Sequence, residues 1–315
     1  MTASPLNMSS AQTRVNTLNF SPAQPSDKPW VEPFIRSANS ANSAWTFANL
    51  YLWGSTFQQE VAQLDTRLAV RLYYQDSLFY AFPVGTGDLQ AAVLALLEDA
   101  SAQNAPLQFL GVTEKSCTEL EEAFPGSFDF IEEPFIADYV YEAEKLAHLP
   151  GKKLSSKRNH INRFLENHPD WHFEAITPKN LDSCIQMSRE WLNQQQDKGN
   201  FSGDLEPLRL AFEHFEALGL EGGLLMADNQ VVAFTLGEIL NSDTYVVHFE
   251  KAFASIQGAY PMINREFVRH VLEKYPHIRY INREEDMGLE HLQKAKRSYY
   301  PDHMVNKYTA IWRGL

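Results

Sequence analysis

The sequence is short of cysteine, of positive charge and of long apolar runs, and each shortage excludes something. The two cysteines, Cys117 and Cys184, fit no metal-ligand spacing and read as packed free thiols of a reduced, cytoplasmic protein. Lys and Arg number 27 against 40 Asp and Glu, giving a net charge of -13 in 315 residues. That balance argues against broad binding to DNA or anionic membrane and leaves room for a local basic site. The longest purely apolar run is "AAVLALL", 91–97. A membrane-crossing helix needs roughly 20 such residues, so no span is expected. No grouping of His, Cys and acids suggests a metal. The first 29 residues, rich in Ser, Asn, Gln and Pro, lack the apolar centre of a secretory signal and read as a flexible tail.

What is present suffices for one large core or two ordinary ones: 44% of residues are hydrophobic, with 20 Phe, 13 Tyr and 6 Trp. Residues 37–53, "SANSANSAWTFANLYLW", predict a helix capped by Ser43. "RLAVRLYYQDSLFYAFPVG" alternates like a hairpin turning at Gln75-Asp76. A helix capped by Asp88, the strand "LQFLGV", the helix "TEKSCTELEEAF" and the extended "FDFIEEPFIADYVY" follow. After residue 150 the pattern predicts the strand "WHFEAIT", a helix opened by Pro178, a second helix, a hairpin turning at Asp228-Asn229, and the strand "TYVVHFEKA". The helix "PMINREFVRHVLEKY", the strand "HIRYINR", the helix "GLEHLQKAKRSYY" and the closing strand "VNKYTAIW" complete it. The two halves share much of this order. Two α/β (α+β) units joined near 145–155 are expected: residues 30–150 and 151–315, each a mixed twisted sheet flanked by helices.

Between them lies "GKKLSSKRNHINRF", 151–164, with five cations and no acid. A helix capped by Ser155 or Ser156 would turn Leu154, Ile161, Phe164 and Leu165 inward and leave Lys157, Arg158, Asn162 and Arg163 outward. A solvated helix face normally mixes signs. The bias fits a phosphate-bearing ligand or, equally, a basic face docked on the acidic "FDFIEEPFIADYVYEAE".

The order of elements is similar to the GNAT acyltransferase fold. "GKKLSSKRNHINRF", "YINREEDMGLEHLQKAK", "SYYP" and "WTFANLYLW" resemble a bacterial family of unassigned function allied to the C-terminal catalytic domain of phosphatidylglycerol lysyltransferases. The resemblance implies two GNAT-like units and transfer of an acyl or aminoacyl group to an amine or hydroxyl. Better-known relatives take the aminoacyl group from a charged transfer RNA; acyl-coenzyme A is the other donor the fold suggests. Two alternatives stand: a catalytically inactive tandem module that grips a nucleotide or RNA, and a coenzyme A-dependent N-acetyltransferase.

In this fold two neighbouring parallel strands splay and the reactants meet in the gap. Here those would be "TYVVHFEKA" and "HIRYINR". The resemblance thus makes Glu250 the candidate general base, with His248 a second candidate on the same face. Tyr299 stands where a tyrosine acid is common. Candidate donor- and phosphate-binding groups are Lys157, Arg158, Asn162, Arg163, Asn282, Arg283 and Lys296. Asp286 is expected to cap the helix that follows it. "SIQGAYP" departs from the usual phosphate loop around Gly258, which speaks against coenzyme A.

Overall fold

A computed structural model describes residues 18–196 and 203–314. The strands are β1 (Ser21–Pro22), β2 (Glu60–Leu64), β3 (Arg67–Tyr74), β4 (Ser77–Tyr80), β5 (Val84–Gly85), β6 (Gln108–Thr113), β7 (Phe128–Glu132) and β8 (Asp138–Glu142). They continue with β9 (His172–Ala175), β10 (Glu221–Ala227), β11 (Gln230–Ile239), β12 (Thr244–Ala252), β13 (Tyr280–Asn282), β14 (His303–Val305) and β15 (Lys307–Trp312). The helices are α1 (Lys28–Ala38), α2 (Phe47–Leu52), α3 (Leu89–Ala102), α4 (Glu114–Ala123), α5 (Ala143–His148) and α6 (Ser155–Asn167). Then come α7 (Leu181–Gln196), α8 (Leu205–Glu213), α9 (Phe215–Leu218), α10 (Ala259–Lys274) and α11 (Glu290–Arg297).

Two mixed sheets result. One runs β1-β2-β3-β4-β6-β15-β7, with β5 paired to β3; the other runs β14-β8-β13-β12-β11-β10-β9. The fold is mixed α/β and GNAT-like in both sheets. β12 and β13 are parallel neighbours that pair only from Thr244↔Tyr280 to Val246↔Asn282 and then part. β4 and β6 are also parallel and meet only at Tyr80↔Phe109.

Local chemistry accounts for much of this. Gln75 and Asp76 (φ 49° and 59°), like Asp228 and Asn229 (φ 51° and 61°), supply the left-handed pairs that two-residue hairpin turns need. Asp88 accepts from the Ala91 amide and caps α3. Elsewhere stronger competitors win. The helix expected over 37–53 is only α2, and Thr46, not Ser43, caps it by accepting from Asn49 N. α7 starts at Leu181, because Asn180 Oδ1 accepts from Thr177 N and closes a turn before it. α6 has no serine cap.

The expected tail divides. Residues 1–17 lie outside the described residues, whereas 21–29 supply β1 and the start of α1. The stretch "FDFIEEPFIADYVY" is extended but not continuous. Pro134 interrupts it, and its halves β7 and β8 join different sheets. The closing strand is likewise split: β14 pairs with β8, and β15 inserts between β6 and β7. No single cut between 145 and 155 therefore separates the sheets. Buried apolar side chains from both form one continuous cluster.

Candidate active site

The two sheets meet at an ionised centre built by these crossings. Asp138, at the start of β8, is fully buried. Its carboxylate accepts from Ser43 N (2.8 Å) and Ser43 Oγ (2.9 Å), from Asn282 Nδ2 (3.1 Å) and from Lys307 Nζ (2.7 Å). Lys307 opens β15 and is buried too. Burial opposes its charge, but Asp138 and then Glu285 outweigh that and hold its pKa above the ordinary value. Asn282, expected to bind the donor, is consumed here: its Nδ2 also donates to Ala41 O and its Oδ1 accepts from Glu284 N.

β12 carries a bulge. Leu236 pairs with Phe249 and Gly237 with Val247, so His248 is the extra residue. Bulges re-aim side chains, and the alternation expected between His248 and Glu250 breaks here. His248 Nδ1 lies 2.8 Å from Glu284 Oε1 and Nε2 lies 3.1 Å from Glu238 Oε1. Burial alone would strip its proton. The hydrogen bonds to Glu238 and Glu284 and their charges prevail, and its pKa rises to about 10. His248 is thus a clamped imidazolium with both nitrogens occupied, not a free base.

Glu284 sits in the left-handed region at φ 57°. Strain of this kind at a non-glycine residue costs about 1–3 kcal/mol and collects at functional sites. Here its amide reaches Asn282 and its carboxylate reaches both His248 and Asn49 Nδ2 (3.2 Å). Glu284, Glu285 and Lys307 line a cavity of about 220 Å³ set between the first sheet and the loop after β13. Trp45, Trp53, Phe57, Tyr74, Phe82 and Phe135 give it aromatic walls among aliphatic side chains, and Glu133 adds a third carboxylate. Glu285 Oε2 is 3.8 Å from Lys307 Nζ. Burial lifts the Glu285 carboxyl above its ordinary range; Lys307 opposes this, and Asp138 and Glu284 reinforce it.

The residues favoured from the sequence gather in a second cluster, beyond the last paired residues of β12 and β13. Arg283 Nη2 donates to Glu250 Oε1 (2.9 Å), and Asn264 Nδ2 of α10 donates to Glu250 Oε2 (2.9 Å). Glu250 is thus locked in a closed ion pair, both oxygens engaged, rather than held free as a base. Tyr299 is buried with its ring close to two cations: Lys157 Nζ lies 4.0 Å and the Arg283 guanidinium 5.0 Å from its centre. Burial raises the Tyr299 pKa, so it keeps its proton.

The basic helix does not present its cations together. Lys157 turns inward, and Arg158 donates to Leu149 O and Gly151 O, holding the turn before α6. Asn162 and Arg163 are exposed, as are Lys152 and Lys153. No ion pair within 4.0 Å joins these cations to the 128–144 acids among the described residues, so the docking alternative gains no contact. Lys296 donates to Glu285 O behind the cavity wall, and burial lowers its pKa. Asp286 shapes a turn instead of capping α11: it accepts from Gly288 N (2.9 Å) and Tyr139 OH (2.6 Å). Gly258 (φ 89°) begins α10 against α6; a Cβ there would sit 2.1 Å from His160 O. The α6 backbone therefore packs directly against the residue before α10, beside the helix end where a pyrophosphate would rest in the fold.

The family model described as "Phosphatidylglycerol lysyltransferase, C-terminal" matches residues 35–311. The chain belongs to this family. A conserved protein of unknown function from Bacteroides thetaiotaomicron VPI-5482 is 38% identical, with a TM-score of 0.87 over 94% of this chain and 100% of that one. The structure of L-PGS from Bacillus licheniformis matches at 14% identity and a TM-score of 0.64, covering 93% of each chain, which shows a shared fold. An uncharacterized protein of Mycoplasmoides gallisepticum is 23% identical over 176 residues, and this match spans about half (54%) of each. Membership in the phosphatidylglycerol lysyltransferase C-terminal family supports a transferase kind of activity. No described helix of this family member is long and apolar enough to cross a membrane.

Within the family frame, Glu284, Glu285, Lys307, Asp138 and Asn49 are residues of the candidate site to which sequence reasoning gave no role. A signal existed for two of them. Lys307 and Asp138 are charged residues next to apolar and aromatic stretches that read as strands, and such residues are rarely buried without a partner.

Proposed function

We propose that this chain is an aminoacyltransferase whose reaction centre is the cavity between the first sheet and the loop after β13. The carrying observation is the ending of an aromatic-walled cavity on Glu284, Glu285 and Lys307. Burial raises the Glu285 carboxyl pKa, which makes it a stronger base than an ordinary carboxylate. In this reading Glu285 takes the proton from an acceptor hydroxyl or amine, which attacks the ester carbonyl of an aminoacyl-tRNA. A new ester or amide forms, the transfer RNA leaves through its 3′-terminal oxygen, and that oxygen recovers the proton. The Lys307 ammonium, fixed by Asp138, offers a positive charge to the developing oxyanion. The carboxylates Glu133 and Glu284 suit the free α-ammonium of the aminoacyl group.

The test is consumption of individually charged transfer RNAs, offered with a lipid and amine extract. One or a few should deacylate faster than buffer alone, and Glu285→Gln should slow this by about 10²–10⁴-fold. If no charged transfer RNA is consumed above background, or Glu285→Gln leaves the rate intact, this reading falls. The closed Glu250–Arg283 pair favours a second reading, an inactive module that grips RNA. That reading predicts salt-sensitive binding of bulk transfer RNA with no consumption.

A further inference from the structure

The cluster at the splay of β12 and β13 is electrically incomplete. Two cations, Lys157 and Arg283, share the single carboxylate of Glu250 and the single ring of Tyr299. Among the described residues the Lys157 ammonium meets that aromatic face rather than an oxygen. Among the described residues Arg283 Nη1, a buried donor, has no hydrogen-bond partner, and neither has Asn264 Oδ1, a buried acceptor. Asn264 itself is 2% exposed. Both unpartnered atoms belong to the groups that grip Glu250, one on each of its oxygens. Buried polar atoms of this kind are rare in folded proteins and call for a partner.

The missing partner is defined by these atoms. Two cations call for an anion. Arg283 Nη1 and the Lys157 ammonium call for acceptor oxygens, and Asn264 Oδ1 calls for a proton donor, which beside two cations is a hydroxyl rather than an ammonium. A carboxylate offers oxygens but no hydroxyl. A phosphodiester in a nucleic-acid backbone offers none either. Inorganic phosphate and a phosphate monoester in their singly protonated forms offer both. We infer that Lys157, Arg283 and Asn264 form a site for a terminal phosphate group, which Glu250 occupies as a stand-in anion when the site is closed.

This site is separate from the cavity of the proposed reaction and stands whether or not that reading holds. Glu250 becomes a competitor of the ligand, so its removal should help binding, the reverse of what a catalytic base or a structural tie would do. Proton linkage adds a signature. Burial, helped by the Arg283 charge, lowers the Lys157 pKa to about 8 despite Glu250. A bound anion would raise it again, so inorganic phosphate, which keeps a hydroxyl at pH 8, should take up about half a proton on binding, and a monoester about one proton more, because it must regain its own to offer the hydroxyl.

The experiment is calorimetric titration of the full chain with inorganic phosphate and with adenosine monophosphate at pH 8. Buffers of different ionisation enthalpy report the protons. Acetate and a short RNA lacking terminal phosphates are the comparison ligands. We expect both phosphates to bind and both comparison ligands not to. Lys157→Met should weaken phosphate about tenfold or more and abolish proton uptake, as loss of one charge-assisted contact implies. Glu250→Gln should tighten it about fivefold or more, as removal of a competing charge implies. Binding by monophosphate but not by inorganic phosphate would assign the site to nucleotide ends; both together assign it to the phosphate alone. Neither substitution replaces an apolar core residue, and the melting transition of each checks its fold. Equal phosphate binding by the parent and Lys157→Met, or unchanged affinity in Glu250→Gln, would overturn the assignment.

Discussion

His248 should make this protein less stable as the solution becomes alkaline, well before ordinary lysines or tyrosines titrate. In the folded chain its pKa is about 10, because burial is outweighed by Glu238 at 3.1 Å and Glu284 at 2.8 Å. In the unfolded chain it returns to roughly 6.5. A group with a raised folded pKa contributes stability that is complete below its unfolded value and is lost as pH rises through its folded value. The window is therefore about pH 6.5 to 10, and the full difference is worth about 5 kcal/mol as an upper bound. The assay is urea unfolding at intervals from pH 6 to 9.5, on the parent and on His248→Gln. The substitution removes the cation between two buried carboxylates, so it lowers stability at pH 7 by about 3–5 kcal/mol. More telling is the slope. The parent should lose up to about 1.4 kcal/mol per pH unit across the window, while His248→Gln should lose much less. Parallel curves would refute the argument, because they would mean that His248 carries no proton the unfolded chain lacks.

Two further expectations rest on the same geometry. Lys307→Met strands the buried Asp138 carboxylate among neutral donors, and should cost about 3–5 kcal/mol; adding Asp138→Asn should restore much of that loss in thermal unfolding, and a double substitution no better than the single would count against it. The α6 backbone against Gly258 should keep acetyl-coenzyme A from binding at micromolar concentration, as calorimetry would read, and Gly258→Ala should lower stability by about 2 kcal/mol or more through strain and contact with His160 O.

Sequence reasoning reached the elements whose causes are local. The hairpin turns at Gln75-Asp76 and Asp228-Asn229 and the Asp88 cap depend on residues within a few positions of one another. It missed what distant pairing decides. Nothing in the alternation of "FDFIEEPFIADYVY" says that β7 and β8 serve different sheets, or that β15 returns to the first. Ser43 has the chemistry of a cap, yet Asp138, 95 positions away, claims its hydroxyl and amide. The candidate site shows the same limit. Glu250, Arg283, Lys157 and Tyr299 were singled out separately and do come together, but Glu250 was given the role of a free base. Asn264 and Arg283 occupy it instead, and the amphipathic pattern of α10 does not mark Asn264 as its partner.

The position of β15 has a consequence for biosynthesis. Among the described residues β7 pairs in the first sheet with β15 alone, and β15 follows every strand of the second sheet in the chain. Domains made on the ribosome generally fold in order from the amino terminus, at roughly 5–20 residues per second. This chain cannot follow that course. β6 and β7 are translated by residue 132, and both must then wait for the strand that joins them until the second sheet has been made and Trp312 has cleared the exit tunnel. For those seconds the nascent protein carries two open strand edges, which are templates for wrong pairing. Its folding in the cell should therefore lean on chaperones more than its size alone would suggest.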